Sequence, residues 1–267
     1  MSAVPGPSVQ RRRSATPWVL VVLGGFLILI AAAVFLALTV GGGILPRSAT
    51  TSQTYTDSIT KVSVHGGSGS VEVRGGGAAG RVDVTRQLSW GPFSSQPRPD
   101  ESVQSGVLGL SARCDGFLNW CSIAYVVTVP DGTAVSVDQG SGAVRLAGQF
   151  GATDAKTGSG SISITGGGDS VRLETGSGGI SATGLQSSQV VAHTGSGGID
   201  LDLARPADSV TAETGSGGVT VRVPQGAYSV AVRTGSGSSH VNVTNDPTSS
   251  HRIQATTGSG SVTVSYR

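Results

Sequence analysis

The stretch Glu174-Thr-Gly-Ser-Gly-Gly-Ile-Ser181, ETGSGGIS, decides the fold, because near-copies of it recur along the chain. They read KTGSGSIS at 156–163, HTGSGGID at 193–200, ETGSGGVT at 213–220, RTGSGSSH at 233–240 and TTGSGSVT at 256–263. Looser Gly-Ser-Gly copies centre on Ser68 and Ser141. From Ser141 onward the serines are 18, 18, 19, 20, 20 and 23 residues apart, a period in the range of stacked repeat architectures.

The flanks of the corner carry the pattern. With the residue two before each serine as position zero, positions −4, −2, +5 and +7 give 32 slots over eight units, and only Thr153 and Ser239 among them are not apolar. The positions between them are mostly polar or charged. This is period-two alternation on both sides of TGSG, so each unit reads strand, tight corner, strand. Two architectures fit: a β-solenoid, in which equivalent positions stack about 4.8 Å apart, and an antiparallel meander with TGSG as the hairpin loop. The column Asp138, Lys156, Glu174, His193, Glu213, Arg233 favours stacking, since charges of opposite sign then become neighbours from Asp138 to Glu174 and from Glu213 to Arg233. The expected fold is all-β, a solenoid of roughly 20-residue coils.

Phosphate-loop readings of TGSG fail, because a Walker A loop needs a lysine and a following helix, and a dinucleotide fingerprint needs a helix N-terminus. The glycine-aspartate calcium repeats have a period of about nine, half of that seen here. A nucleophile elbow is excluded by the threonine two before each TGSG serine. His65, His193, His240 and His251 are spread over distant units and suggest no metal site. No cofactor and no enzymatic activity are expected. The enzymatic alternative is a carbohydrate-active β-helix, for which Asp200, Asp202 and Arg222 are the nearest to a cluster. A net charge of +2 and the absence of a Lys/Arg stripe leave no case for nucleic acid.

Before the repeats, Trp18 to Val40 is 23 residues without a charge, enough to cross a hydrocarbon core of roughly 30 Å as a helix. Arg11, Arg12 and Arg13 precede it, so the positive-inside rule puts residues 1–17 in the cytoplasm and the rest outside. The expected order is a tail at 1–17, a transmembrane helix at 18–40, a Gly/Ser/Thr-rich linker at 41–57 and an extracytoplasmic domain at 58–267. Localisation follows: a single-pass protein of the cell membrane. Cys114 and Cys121 lie on the outer side with six residues between them, and a local disulfide is the expected state there. They fall in a segment, about 81–125, that breaks the period and reads as an insertion forming a cap or lateral flap. Its aromatics Trp90, Phe93, Phe117 and Trp120 form either a satellite core or a binding patch. The last strand, Ser261 to Arg267, stops without a capping segment and is expected to leave an edge for self-association through the C-terminal coil.

The anchor, the spaced repeats and the run Val126-Val-Thr-Val-Pro-Asp-Gly-Thr-Ala-Val-Ser-Val-Asp138 together resemble the bacterial DUF4097 family of candidate adhesins, related to the toastrack domains of envelope-stress systems. The resemblance covers roughly residues 58–267. It implies a right-handed β-helix, a binding or scaffold role with an envelope protein or glycan as partner, and no catalytic residues to carry over.

Overall fold

The computed structural model describes residues 16–40, 46–91, 94–113 and 121–267, with side chains at 24–36 in the first of these. The chain divides into two units, 1–46 and 47–267. The first holds one helix, α1 (Thr16–Val40). Among the described residues no helix is long and apolar enough to cross a membrane, so the expected span at 18–40 rests on the sequence.

The second unit is all β. Its first strands are β1 (Arg47–Tyr55), β2 (Lys61–Gly66), β3 (Val71–Arg74), β4 (Val82–Trp90), β5 (Arg98–Gln104), β6 (Val107–Arg113) and β7 (Cys121–Thr128). The regular coils follow: β8 (Ala134–Gln139) with β9 (Val144–Phe150), β10 (Thr153–Thr157) with β11 (Ile162–Gly168), and β12 (Ser170–Thr175) with β13 (Ile180–Leu185). Next come β14 (Gln189–Ser196) with β15 (Ile199–Leu203) and β16 (Ser209–Ser216) with β17 (Val219–Val223). The chain ends with β18 (Ala227–Ser236), β19 (Ser239–Asn242), β20 (Thr244–Asn245), β21 (Arg252–Ser259) and β22 (Val262–Tyr266). The strand before each Gly-Ser-Gly corner joins one eleven-stranded sheet and the strand after it joins the other. Successive coils pair in parallel and in register, Ala155 on Leu173 on Ala192 on Ala212, and Ile162 on Ile180 on Ile199 on Val219. That is a solenoid; the meander would have required antiparallel pairs.

The corner residues divide the labour. A Cβ on the first glycine would lie 2.5–2.6 Å from a backbone oxygen of the adjacent corner at Gly195, Gly215, Gly258 and Gly235, and closer still on the second glycine at Gly178, Gly197, Gly217 and Gly260. No side chain fits there, so glycine is demanded by the approach of stacked backbones. The corner threonine points inward. Thr175 Oγ1 donates to Gly160 O of the adjacent corner at 2.8 Å and accepts Gly178 N–H at 3.1 Å. Thr157, Thr194, Thr214, Thr257 and Thr234 repeat the donation at 2.8–3.1 Å. Each hydroxyl satisfies a carbonyl that the turn leaves without a ladder partner. Gln139 takes the threonine slot in its unit and donates Nε2 to Gly69 O. Of the corner side chains, that of the serine faces water.

Between the sheets, the inward slots outside β18 and β19 pack Val, Ile, Leu and Ala at 0–2% exposure from Val62 to Val264. The two polar exceptions resolve differently: Thr153 is buried, and Ser239 is exposed on β19. Spatial order departs from chain order at both ends. β2 and β3 lie between the β6–β7 coil and β8–β9. Likewise β21 and β22 lie between β16–β17 and β18–β19. The corner threonines agree, since Thr257 donates to Gly217 while Thr234 donates to Gly260. The expectation of a bare C-terminal strand is therefore corrected: β22 is flanked on both sides, and the last coil of its end is β18–β19. A coil slotted between two others has its backbone groups covered on both sides, which the order of repeats along the chain does not reveal.

The segment at about 81–125 supplies strands to both sheets at the other end. β6 and β7 form a coil, and β4 runs antiparallel to β7. β1 in turn runs antiparallel to β4, so residues 47–55 are a strand and not the linker expected at 41–57. Its Ser/Thr-rich composition reads as a spacer, but threonine is also a strand former when an edge is present to pair with. Here the apolar core ends on a buried polar cluster. The Arg86 guanidinium is paired with both Glu101 carboxylate oxygens, and Arg86 Nη2 donates to Gln53 Oε1 at 2.8 Å. Tyr55 donates to Glu101, and burial followed by that carboxylate pushes the Tyr55 hydroxyl up to about 12. The Arg86 and Glu101 side chains are 10% and 8% exposed, so this pair is closed to water.

Gly178→Ala is expected to destabilise the domain by about 1–3 kcal/mol through overpacking, and Thr175→Val by a similar ~1–3 kcal/mol through two orphaned backbone groups. Ser177→Ala, one residue away, should stay within about 0.5 kcal/mol in denaturant unfolding. Glu101→Gln should lower stability by about 3 kcal/mol by stranding the Arg86 charge, and Arg86→Met with Glu101→Leu should restore most of it.

Candidate functional site

The outer face of the β8–β21 sheet carries the charged column beside the TGSG ridge. Registers place Asp138 next to Lys156, Lys156 next to Glu174, Glu174 next to His193, and His193 next to Glu213. His65 extends the column beyond Asp138. Because each residue sits one slot before the corner threonine, alternation points all of them outward while the threonines point in. At the far end the sequence order misleads. Thr256 of β21 separates Glu213 from Arg233, so the expected Glu213–Arg233 contact does not form.

The column holds an ion pair at Lys156 and Glu174 and a longer contact at His193 and Glu213. Lys156 Nζ lies 3.4 Å from Glu174 Oε2, and Arg172, on the same strand as Glu174, pairs with its other oxygen. His193 Nδ1 lies 3.9 Å from Glu213 Oε2. Partial burial raises the Glu174 carboxyl, but the Arg172 hydrogen bond and the charges of Arg172 and Lys156 outweigh it, so its pKa lies below the ordinary value. Asp138, Lys156, Glu174 and His193, with Thr157, Thr175, Gly176 and Gly195, line an open depression of about 400 Å³. Such a surface presents both signs of charge, regularly spaced along the solenoid axis.

The opposite sheet face gathers Asp200, Asp202 and Arg222. Asp202 is level with Arg222, but the guanidinium reaches diagonally to Asp200, Nη1 to Oδ1 2.7 Å, and Arg267 Nε takes Asp202 at 2.7 Å. Each carboxylate thus has its own arginine, a ladder arrangement with no free acid-base pair. Among the described residues no group of three or more His, Cys, Asp or Glu could hold a metal ion. A second depression of about 420 Å³ lies at the other corner, lined by Gln149, Phe150, Asp169, Gln186, Ser188 and Arg205, among others. Sequence reasoning missed it because that corner varies in length from coil to coil and forms no readable column.

Of the aromatic patch, Trp90 is half-buried at the end of β4, level with Cys121. Phe93, Phe117, Trp120 and Cys114 lie outside the described residues. Cys121 is not free, and the Cys114–Cys121 pairing rests on the sequence. The patch as a unit is not assembled by the described residues.

A family profile described as Toastrack DUF4097 matches residues 56–267. No curated protein matches the sequence. Among solved structures, a candidate adhesin from Bacteroides fragilis is similar at 16% identity with a TM-score of 0.50, covering 82% of this chain and 97% of that one. A candidate adhesin from Parabacteroides merdae is similar at 11% identity with a TM-score of 0.48, covering 82% and 96%. At such identity the first of these likenesses speaks for the fold alone.

A carboxylate with a depressed folded-state pKa contributes stability above its unfolded pKa of about 4.3, and that contribution is lost as pH falls through the folded value. Glu174→Gln should therefore flatten the acid limb of the stability curve between about pH 5 and pH 3, where the native chain loses the Glu174 contribution. Urea unfolding across that range reads the difference.

Proposed function

This chain belongs to the Toastrack DUF4097 family across residues 56–267, and from that membership we propose that it is a binding or scaffold module held at the outer face of a bacterial cell membrane. The observation that carries the reading is the column from Asp138 to Glu213, an outward, in-register row along one solenoid face whose charges alternate from Asp138 through Lys156 to Glu174. A rigid stack offers such a row at a fixed repeat of about 4.8 Å, which suits an extended partner with its own repeat, an envelope glycan or an elongated envelope protein. Supporting the anchor, Phe26 to Leu29, Phe35 and Leu36 of α1 stand 62–70% exposed, an apolar surface that a hydrocarbon phase would cover. In this reading residues 1–17 are cytoplasmic, 18–40 span the membrane, the coil winds right-handed, and the Cys114–Cys121 disulfide forms in the oxidising compartment. A role in envelope-stress sensing would follow from ligand occupancy of the charged face. Catalysis has no part in it.

Tags at each terminus test the topology: a C-terminal tag should be labelled by antibody on spheroplasts without permeabilisation, and an N-terminal tag only afterwards. The reverse labelling would rule the anchor reading out. The face is tested with isolated cell envelopes and the purified 47–267 unit. Glu174→Lys with Glu213→Lys should weaken binding about tenfold, equivalent to ~1.4 kcal/mol; unchanged binding would exclude the column as the contact surface.

A further inference from the structure

The two ends of the solenoid are finished differently. At the β1–β5 end the core stops on the buried Arg86–Glu101 pair. At the other end nothing comparable covers it among the described residues. β18 and β19 are the last strands of their sheets, apart from the two-residue β20, which meets only Ala227 and Tyr228. Val262 N–H donates to Ser238 O, so by strand alternation the backbone groups of Ser239 and Val241 face outward. On β18, Asn245 Oδ1 accepts the outward Val230 N–H at 3.0 Å, and no strand lies beyond Ala231 to Ser236. Between the two edges the core is open. Val241 is 39% exposed and Val230 and Val232 are half-buried, whereas Val210, Ala212 and Val221 in interior coils are at 2% or less.

Bare strand edges are matched by extended backbone. A linear peptide would cover one edge and leave the other edge and the valines in water. An occupant that covers all three must present two strands with an apolar gap between them, and the same end of a second copy has that shape. We propose that the chain dimerises tail to tail, the β18 and β19 edges of one copy pairing antiparallel with those of its partner and the exposed valines merging into one core. β18 is ten residues long. Of these, Ala231 to Ser236 lie beyond β20 and Asn245; at about 3.3 Å per residue, with sheets ~10 Å apart plus their side chains, the free edge offers ~350 Å² per copy and ~700 Å² in all, the size of a weak contact that forms as concentration rises. The contact is isologous and closes at two copies, because the polar β1–β5 end does not complement it. The inference stands apart from the anchor and from the charged face.

Every residue of the hydrophobic core lies within 47–267, so this unit can be studied by itself. Sedimentation equilibrium should show a mass that rises with concentration to twice the monomer's. Val241→Lys should restore the monomer, as should Val241→Pro, which removes an outward N–H without breaking a ladder bond. Thr51→Lys, on the β1 edge, should remain dimeric. A native unit that is monomeric up to its solubility limit overturns the proposal. So does a dimer that survives both Val241 substitutions while they retain strand circular dichroism, dissociation by Thr51→Lys, or growth beyond two copies.

Discussion

One carbonyl oxygen sits where the next corner's Cβ would have to be, and the rest of the structure depends on that approach. The corners stack so closely that from Ser141 onward both glycines around each corner serine have no room for a side chain. With the backbone there reduced to bare peptide, the threonine hydroxyl can reach the adjacent corner's carbonyl and tie successive coils together. Corner stacking also sets the register, and register decides which residues become neighbours. The inward columns close into a core of small aliphatics, and the outward column becomes a row of polar and charged side chains in which Lys156 pairs with Glu174.

A stack of identical coils has two exposed ends, and this chain treats them by rearranging its order. A coil from near each end of the domain is slotted one place inward, β2–β3 at one end and β21–β22 at the other. β21 and β22 therefore have partners on both sides. The end surfaces are built by other segments. Antiparallel strands and a buried arginine–carboxylate pair finish one end, while β18 and β19 leave valines and backbone edges at the other.

What was legible in the sequence is what repeats. The inward slots and the column from Asp138 to Glu213 could be read because each recurs at a fixed offset from a recognisable corner. Features that occur once were not legible. Arg86 and Glu101 sit on strands without a corner motif, and their partnership needs the two sheets brought together. Tyr125 and Tyr228, both 1% exposed, plug the core where the repeat is broken, with hydroxyls on Ser111 O and Pro224 O. Reading order as spatial order placed Arg233 beside Glu213 and left the C-terminal strand bare. Thr256 and the β21–β22 coil correct both, because a parallel sheet accepts a coil from any point in the chain that matches its register.

Native-state hydrogen exchange tests the stacking order most directly. If β21–β22 is an interior coil, then below the concentration at which the domain dimerises the amides of Arg252 to Tyr266 should be protected as strongly as those of β14–β17, and Ser239 to Asn242 should exchange before them. Early exchange across Arg252 to Tyr266, with β18–β19 better protected, would contradict the account.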